Sequence, residues 1–105
     1  MATRSMICIE LEDGSNTGTY CHFDGYPSHM RPILEDATYD QVKAMVDEGN
    51  TNGGLKGIDG PKTFESFDEP GLDMSGTFEV SNEMGIEYYY LKRLNGEVSI
   101  KSVYN

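Results

Sequence analysis

Cysteine is scarce in this chain, with two residues among 105, which excludes the disulfide-dense frameworks of small secreted domains. Long apolar runs are missing as well. No stretch reaches the ~20 apolar residues that a membrane-spanning helix needs. The opening Met1-Ala2-Thr3-Arg4-Ser5-Met6 lacks the apolar run of a signal peptide. Basic residues are few, 8 against 18 acidic ones, for a net charge of −10. Nucleic-acid and membrane surfaces, both anionic, are poor partners for such a chain. There is no G-x-S-x-G, no P-loop and no G-x-G-x-x-G, and Gly53-Gly54-x-x-Gly57 is only a loose glycine cluster. Apolar residues make up 37%, below the usual range, and the length predicts one domain over residues 1–105 with a thin core. These absences lead to the expectation of a soluble cytosolic protein without membrane contact.

What charge there is sits unevenly. Residues 1–34 carry four acids and two bases, residues 35–83 twelve and three, and residues 84–105 two and three. The middle of the chain therefore holds −9, the first third −2 and the last fifth +1. A field concentrated in this way attracts basic partners; an acidic surface also keeps a small protein soluble.

Along the chain, Met6–Leu11 alternates with Ile7, Ile9 and Leu11 on one face, the pattern of a half-buried strand. Asp13-Gly14-Ser15-Asn16 reads as a turn and Thr17–Phe23 as the returning strand. A two-residue loop at Gly14-Ser15 pairs Ile9 with Tyr20, Ile7 with His22 and Cys8 with Cys21. Residues 28–37 allow one short helical turn around Ile33 and Leu34. Thr38-Tyr39-Asp40-Gln41 predicts a capping box, followed by a Tyr39, Val42, Met45, Val46 stripe and a stop at Gly49. Asn50–Gly76 shows no period and reads as a long glycine-rich acidic loop tacked down by Leu55, Ile58, Phe64, Phe67 and Leu72. Thr77–Val80 predicts a short strand, Ser81–Gly85 a turn, and Ile86–Leu94 and Glu97–Tyr104 a hairpin. A two-residue turn at Asn95-Gly96 puts Tyr89, Leu91, Val98 and Ile100 on the core face and Tyr88, Tyr90, Lys92 and Lys101 on the other. The expected fold is α+β: a small antiparallel sheet in the order strand, strand, helix, strand, strand, strand, with one helix on one face.

Tyr20-Cys21-His22-Phe23-Asp24-Gly25-Tyr26-Pro27 concentrates more potential chemistry than any other stretch. Together with Ala-Thr-Arg-Ser at Ala2–Ser5 and the strand and acidic turn at Ile7–Gly14, it resembles a family of small uncharacterised bacteriophage proteins. The helix ending at Gly49 and the late Tyr-Tyr-Tyr-Leu and Asn-Gly-Glu-Val-Ser-Ile segments fit that family's layout. The resemblance implies a phage origin and the cytoplasm of an infected bacterium as the place of action. It carries no established activity.

Cys21, His22, Asp24 and His29 invite a zinc reading. Adjacent Cys21 and His22 point to opposite faces of a strand and cannot both reach one ion, so no metal and no cofactor are expected. The same divergence disfavours a Cys–His dyad, and adjacent acids such as Glu35-Asp36 read as solvated surface, so no catalytic residue is assigned. The first function expected is a non-enzymatic inhibitor of a host defence or host process, of anti-CRISPR or anti-restriction type. It would bind a basic host-protein surface, such as a nucleic-acid-binding groove, through Glu65, Asp68, Glu69, Asp73, Tyr88 and Tyr90. The alternative is a binder of a small molecule or nucleotide signal, with a pocket near Tyr20, His22, Asp24 and Tyr26. A third is an enzyme using Cys21, His22 and His29.

Overall fold

The computed structural model describes residues 2–81 and 83–104, so Asn82 of the expected Ser81–Gly85 turn and Met1 of the expected leaderless start lie outside the described residues. Strand β1 (Ser5–Glu10) pairs antiparallel with β2 (Asn16–Cys21), but Leu11 and Ser15 close the turn with three residues between them. Gly14 donates to the Leu11 carbonyl at 3.0 Å and Leu11 to the Ser15 carbonyl at 2.8 Å, with Gly14 at φ +88°. A two-residue type II′ turn at Gly14-Ser15 would put the glycine at its first central position. Here Gly14 instead ends a three-residue loop in the left-handed region, and the Asp13 carboxylate accepts from the Ser15 amide at 3.0 Å. Ile7 consequently faces Thr19, Ser5 faces Cys21 and Met6 faces Tyr20. The register differs by three from the expected one. An odd shift moves every side chain to the other face: His22 leaves the Ile7 face, and Cys8 and Cys21 part to opposite sides of the sheet.

The second hairpin repeats this geometry. β6 (Tyr88–Lys92) and β7 (Val98–Ser102) are joined by a loop in which Gly96, at φ +94°, donates to Arg93 and Arg93 to Glu97. Tyr90 therefore faces Ile100, and Tyr89 faces Lys101. The expected Tyr89, Leu91, Val98, Ile100 face is split: Tyr88, Tyr90, Lys92, Val98 and Ile100 lie on one side, Tyr89, Leu91 and Lys101 on the other.

The fold is α+β, with a mixed sheet and, among the described residues, two α-helices in place of the expected antiparallel sheet and single helix. Its strand order is β4-β3-β2-β1-β6-β7, where β3 is Leu55–Gly60 and β4 is Thr63–Ser66; β5 (Ser75–Gly76) adds to β2 beside Gly18 and Thr19. β1 with β6, and β2 with β3, run parallel. Helix α1 (Pro27–Asp36) is longer than the single turn expected, opened by Pro27 in its first turn. Helix α2 (Tyr39–Asn52) starts on the expected capping box, with the Gln41 amide N–H donating to the Thr38 hydroxyl and Gln41 Oε1 accepting from Thr38 N–H. It passes through Gly49 and stops at left-handed Gly53.

The expected loop over Asn50–Gly76 is largely structured. Gly53 and Gly54, both at positive φ, reverse the chain from α2 into the β3–β4 hairpin. Leu55 and Ile58 are fully buried as expected, whereas Leu72 is exposed. Thr77–Val80, expected as a strand, is irregular, and its Phe78 is tethered by Asn16 Oδ1 and Lys101 Nζ.

One core lies between the sheet and the helices, built on Ile7, Ile9, Cys21, Met30, Leu34, Val42, Met45, Val46, Leu55, Ile58 and Tyr90. The second fills the opposite face, where Met6, Cys8, Tyr20, Tyr89 and Leu91 lie under Phe78 and Ile86. Lys92 is buried and donates its Nζ to the Leu34 carbonyl at 2.9 Å, a cation at the negative end of α1.

Gly49 shows how tightly α2 meets the sheet, because a Cβ there would collide with the Thr19 side chain on β2. Thr19 is β-branched and fully buried, so it has little room to yield. By helix propensity alone, Gly49→Ala would stabilise by about 1 kcal/mol. The expected outcome is the reverse, a loss of about 1–3 kcal/mol from overpacking, read by urea denaturation. A more stable variant would show that α2 stands off from β2.

Candidate functional site

The segment after β2 is where separate elements meet. Asp24 adopts φ +57°, a left-handed conformation that few non-glycine residues accept. The next residue holds it there: Gly25 N–H donates to the Thr3 carbonyl at 2.9 Å, and its carbonyl accepts from the buried Tyr90 hydroxyl at 2.6 Å. Gly25 has no space for a side chain, since a Cβ would lie 2.7 Å from atoms of Ser5 and Thr3. Pro27 then starts α1 at once, which puts His29 on the first turn. His29 reaches across to β3, with its Nε2 2.7 Å from the Ile58 carbonyl. A carbonyl only accepts, so Nε2 carries a proton, and in the neutral ring the lone pair is on Nδ1. Asp59 follows Ile58 with its side chain on the exposed side of β3. Ligand-capable atoms of Asp24, His29 and Asp59 lie within 4.8 Å of one another.

On the other side of the same segment the aromatic residues gather. The Tyr20 hydroxyl lies 2.6 Å from His22 Nδ1. His22 packs edge-on against Phe23, with centroids 4.5 Å apart, and sits 6.1 Å from Phe67. Lys56 lies over the Phe67 ring at 5.9 Å and pairs with Glu65 at 3.4 Å. Phe23 is 49% exposed, so this group is an aromatic surface and not a closed pocket. Glu65, Asp68, Glu69 and Asp73 are all exposed along the β4 hairpin and the segment after it. Hydrogen bonds from the Ser75 hydroxyl and amide hold the Asp73 carboxyl below the usual carboxylate range, so it is ionised at neutral pH.

The residues singled out from the sequence fall into three groups. Glu65, Asp68, Glu69 and Asp73 lie on the surface. Tyr88 is half-buried against the Tyr104 ring, and Tyr90 is fully buried with its hydroxyl committed to Gly25, so Tyr90 is not a partner contact. The register shift is the reason, since it turns Tyr90 towards the helices. Tyr20 and His22 are bonded to each other, Asp24 turns towards His29, and Tyr26 is exposed with its ring near that of His29. A cleft of about 240 Å³ lies between Ser75–Thr77, Val80, Met84 and Tyr89, and a shallower one of about 480 Å³ between α2's start and Pro61–Thr63. Neither is lined by Tyr20, His22, Asp24 or Tyr26.

Sequence reading missed Asp59 and Lys56, because both stand on a strand that glycines at Gly57 and Gly60 made look like loop. The alternation of Ile58 with Asp59 was the only local signal.

No protein-family model, curated protein or solved structure matches this chain. No helix among the described residues is long and apolar enough to cross a membrane.

The thiols are chemically quiet. Burial pushes Cys8 and Cys21 up from the usual 9.0 to about 12, and they occupy opposite faces of the sheet. A nucleophilic thiolate is therefore scarce at neutral pH.

Two predictions follow from these geometries. Tyr90→Phe should cost about 1–3 kcal/mol in urea denaturation, because it leaves the buried Gly25 carbonyl without its donor; an unchanged midpoint would remove Tyr90 as the anchor of this segment. The raised thiols set an alkaline limit. Unfolded cysteines ionise near 9 while the folded ones keep their protons to about 12, so the thiols' contribution to stability is constant below about pH 9 and falls through that interval. Cys8→Ala should flatten the fall, as measured by denaturation midpoints from pH 7 to 11; an identical slope would show that Cys8 contributes nothing to it.

Proposed function

We propose that this protein is an acidic accessory protein of phage type that inhibits a host defence or another host process by stoichiometric binding, without catalysis. Its partner would be a basic surface on a host protein, such as the nucleic-acid groove of a CRISPR or restriction effector, met in the bacterial cytoplasm. The phage setting comes from the resemblance of Ala2–Ser5, Ile7–Gly14 and Tyr20–Pro27; the binding mode comes from the surface itself.

The observation that carries the reading is an exposed run of acids around a residue of the aromatic group. Glu65, Asp68, Glu69 and Asp73 are exposed, and Phe67, between Glu65 and Asp68 in the chain, approaches the His22 ring that packs on Phe23. Carboxylates spread along a rim steer a basic partner during encounter, and an aromatic patch holds it after contact. The β3–β4 hairpin gives this rim a rigid base, which lowers the ordering cost of binding below that of a free loop. Phe23 and Phe67 replace Tyr90 as the contact aromatics.

The test is the quadruple variant Glu65→Gln, Asp68→Asn, Glu69→Gln, Asp73→Asn. At low salt its association with a partner captured from bacterial lysate should slow by about tenfold, by surface plasmon resonance. The difference should shrink towards 0.5 M salt, since the screening length is about 10 Å already at 0.1 M. The melting temperature should hardly move, because the four side chains are exposed. Wild-type association by the variant at low salt would refute the acidic-rim mechanism.

A further inference from the structure

Asp24, His29 and Asp59 take no part in the acidic rim, and their arrangement has a chemistry of its own. We propose that they bind a divalent transition-metal ion of the zinc class, with one Asp oxygen from each carboxylate and Nδ1 of His29 as donors.

Three features of the geometry carry this. First, the donors come from three separate elements, each held by its own contacts. Asp24 sits in a turn fixed by Thr3 and Tyr90, His29 on the first turn of α1, and Asp59 on β3 beside buried Ile58. Their ligand-capable atoms lie within 4.8 Å of one another. Donors across an ion with bonds of about 2.1 Å stand about 4.2 Å apart at most, so the carboxylates must draw in by a few tenths of an ångström to hold an ion. Second, the imidazole is prepared as a ligand. The Ile58 carbonyl lies outside the donor set and holds Nε2–H at 2.7 Å, which fixes both the plane of the ring and the tautomer with a free Nδ1. A metal-bound histidine characteristically donates its other ring N–H to a carbonyl or carboxylate in this way. Third, the local charge lacks a counterpart. Each of the four ion pairs among the described residues uses another carboxylate, none of them Asp24 or Asp59.

The donor set determines the class of ion. One imidazole nitrogen and two carboxylate oxygens suit zinc, cobalt or manganese; magnesium and calcium prefer all-oxygen sites. The buried thiols, on the other hand, are remote in chemistry, since burial keeps both protonated. His22 is engaged with the Tyr20 hydroxyl and lies outside the set.

The experiment titrates the full chain, freed of metal by chelator, with Zn²⁺ alone in a non-coordinating buffer at neutral pH. Calorimetry should give one ion per chain, and a large excess of Mg²⁺ should not displace it. Asp59→Asn removes an exposed carboxylate and should leave the melting temperature of the metal-free protein unchanged while weakening Zn²⁺ binding by tenfold or more. His29→Gln should do at least as much. The chain has two histidines, so proton NMR supplies an independent readout: Zn²⁺ should shift the ring protons of His29 and spare those of His22. Absence of binding, binding that Asp59→Asn and His29→Gln leave intact, or a shift confined to His22 would each overturn the proposal. None of these outcomes bears on the acidic rim, whose test reads association with a protein at constant metal.

Discussion

Ser5 to Ile9 of β1 are buried without a break, and the rest of the structure depends on that strand being enclosed on both faces. Antiparallel β2 and parallel β6 satisfy its main chain on either edge. Its odd-numbered side chains build the core under the helices, and its even-numbered ones build a second core on the reverse. A chain with 37% apolar residues can cover both faces only by using irregular backbone as a lid. That is the role of the segment around Phe78, held down by Asn16, Lys101 and the Tyr89 hydroxyl bonded to Ser81. Burial on both sides thus accounts for an irregular stretch that looks superfluous in sequence.

The same strand arrangement explains why the region after β2 is the one place where polar chemistry is held firmly. β6 lies beside β1, which brings the Tyr90 hydroxyl to the Gly25 carbonyl; β3 lies beside the end of β2, which brings Ile58 and Asp59 to His29. Left-handed backbone at Asp24 is unfavourable by itself and persists where surrounding contacts over-determine it. Here those contacts come from Thr3 and Tyr90, one from each end of the chain. Positioned carboxylates and an oriented imidazole are a product of sheet order, whereas the acidic rim needs only exposure. The two surfaces therefore separate physically: one rests on geometry and the other on net charge.

The capping box at Thr38 and Gln41, the apolar stripe of α2, the α+β class and the two hairpins with glycine turns were all legible in the sequence, because each follows from interactions within a few residues. So was the surface position of Glu65, Asp68, Glu69 and Asp73, since carboxylates stay hydrated unless something compensates them. Register was not legible. Gly14-Ser15 and Asn95-Gly96 suit a two-residue loop and a three-residue loop alike, and choosing between them depends on which faces the assembled sheet must bury. That choice moved Tyr90 from the surface to the core and separated Cys8 from Cys21. Strand order, too, was decided only by tertiary structure. The parallel pairings of β1 with β6 and β2 with β3 join residues far apart in sequence, and no local pattern encodes them. Asp59 reached His29 by that route, 30 residues along the chain, because backbone hydrogen bonding between distant strands is non-local.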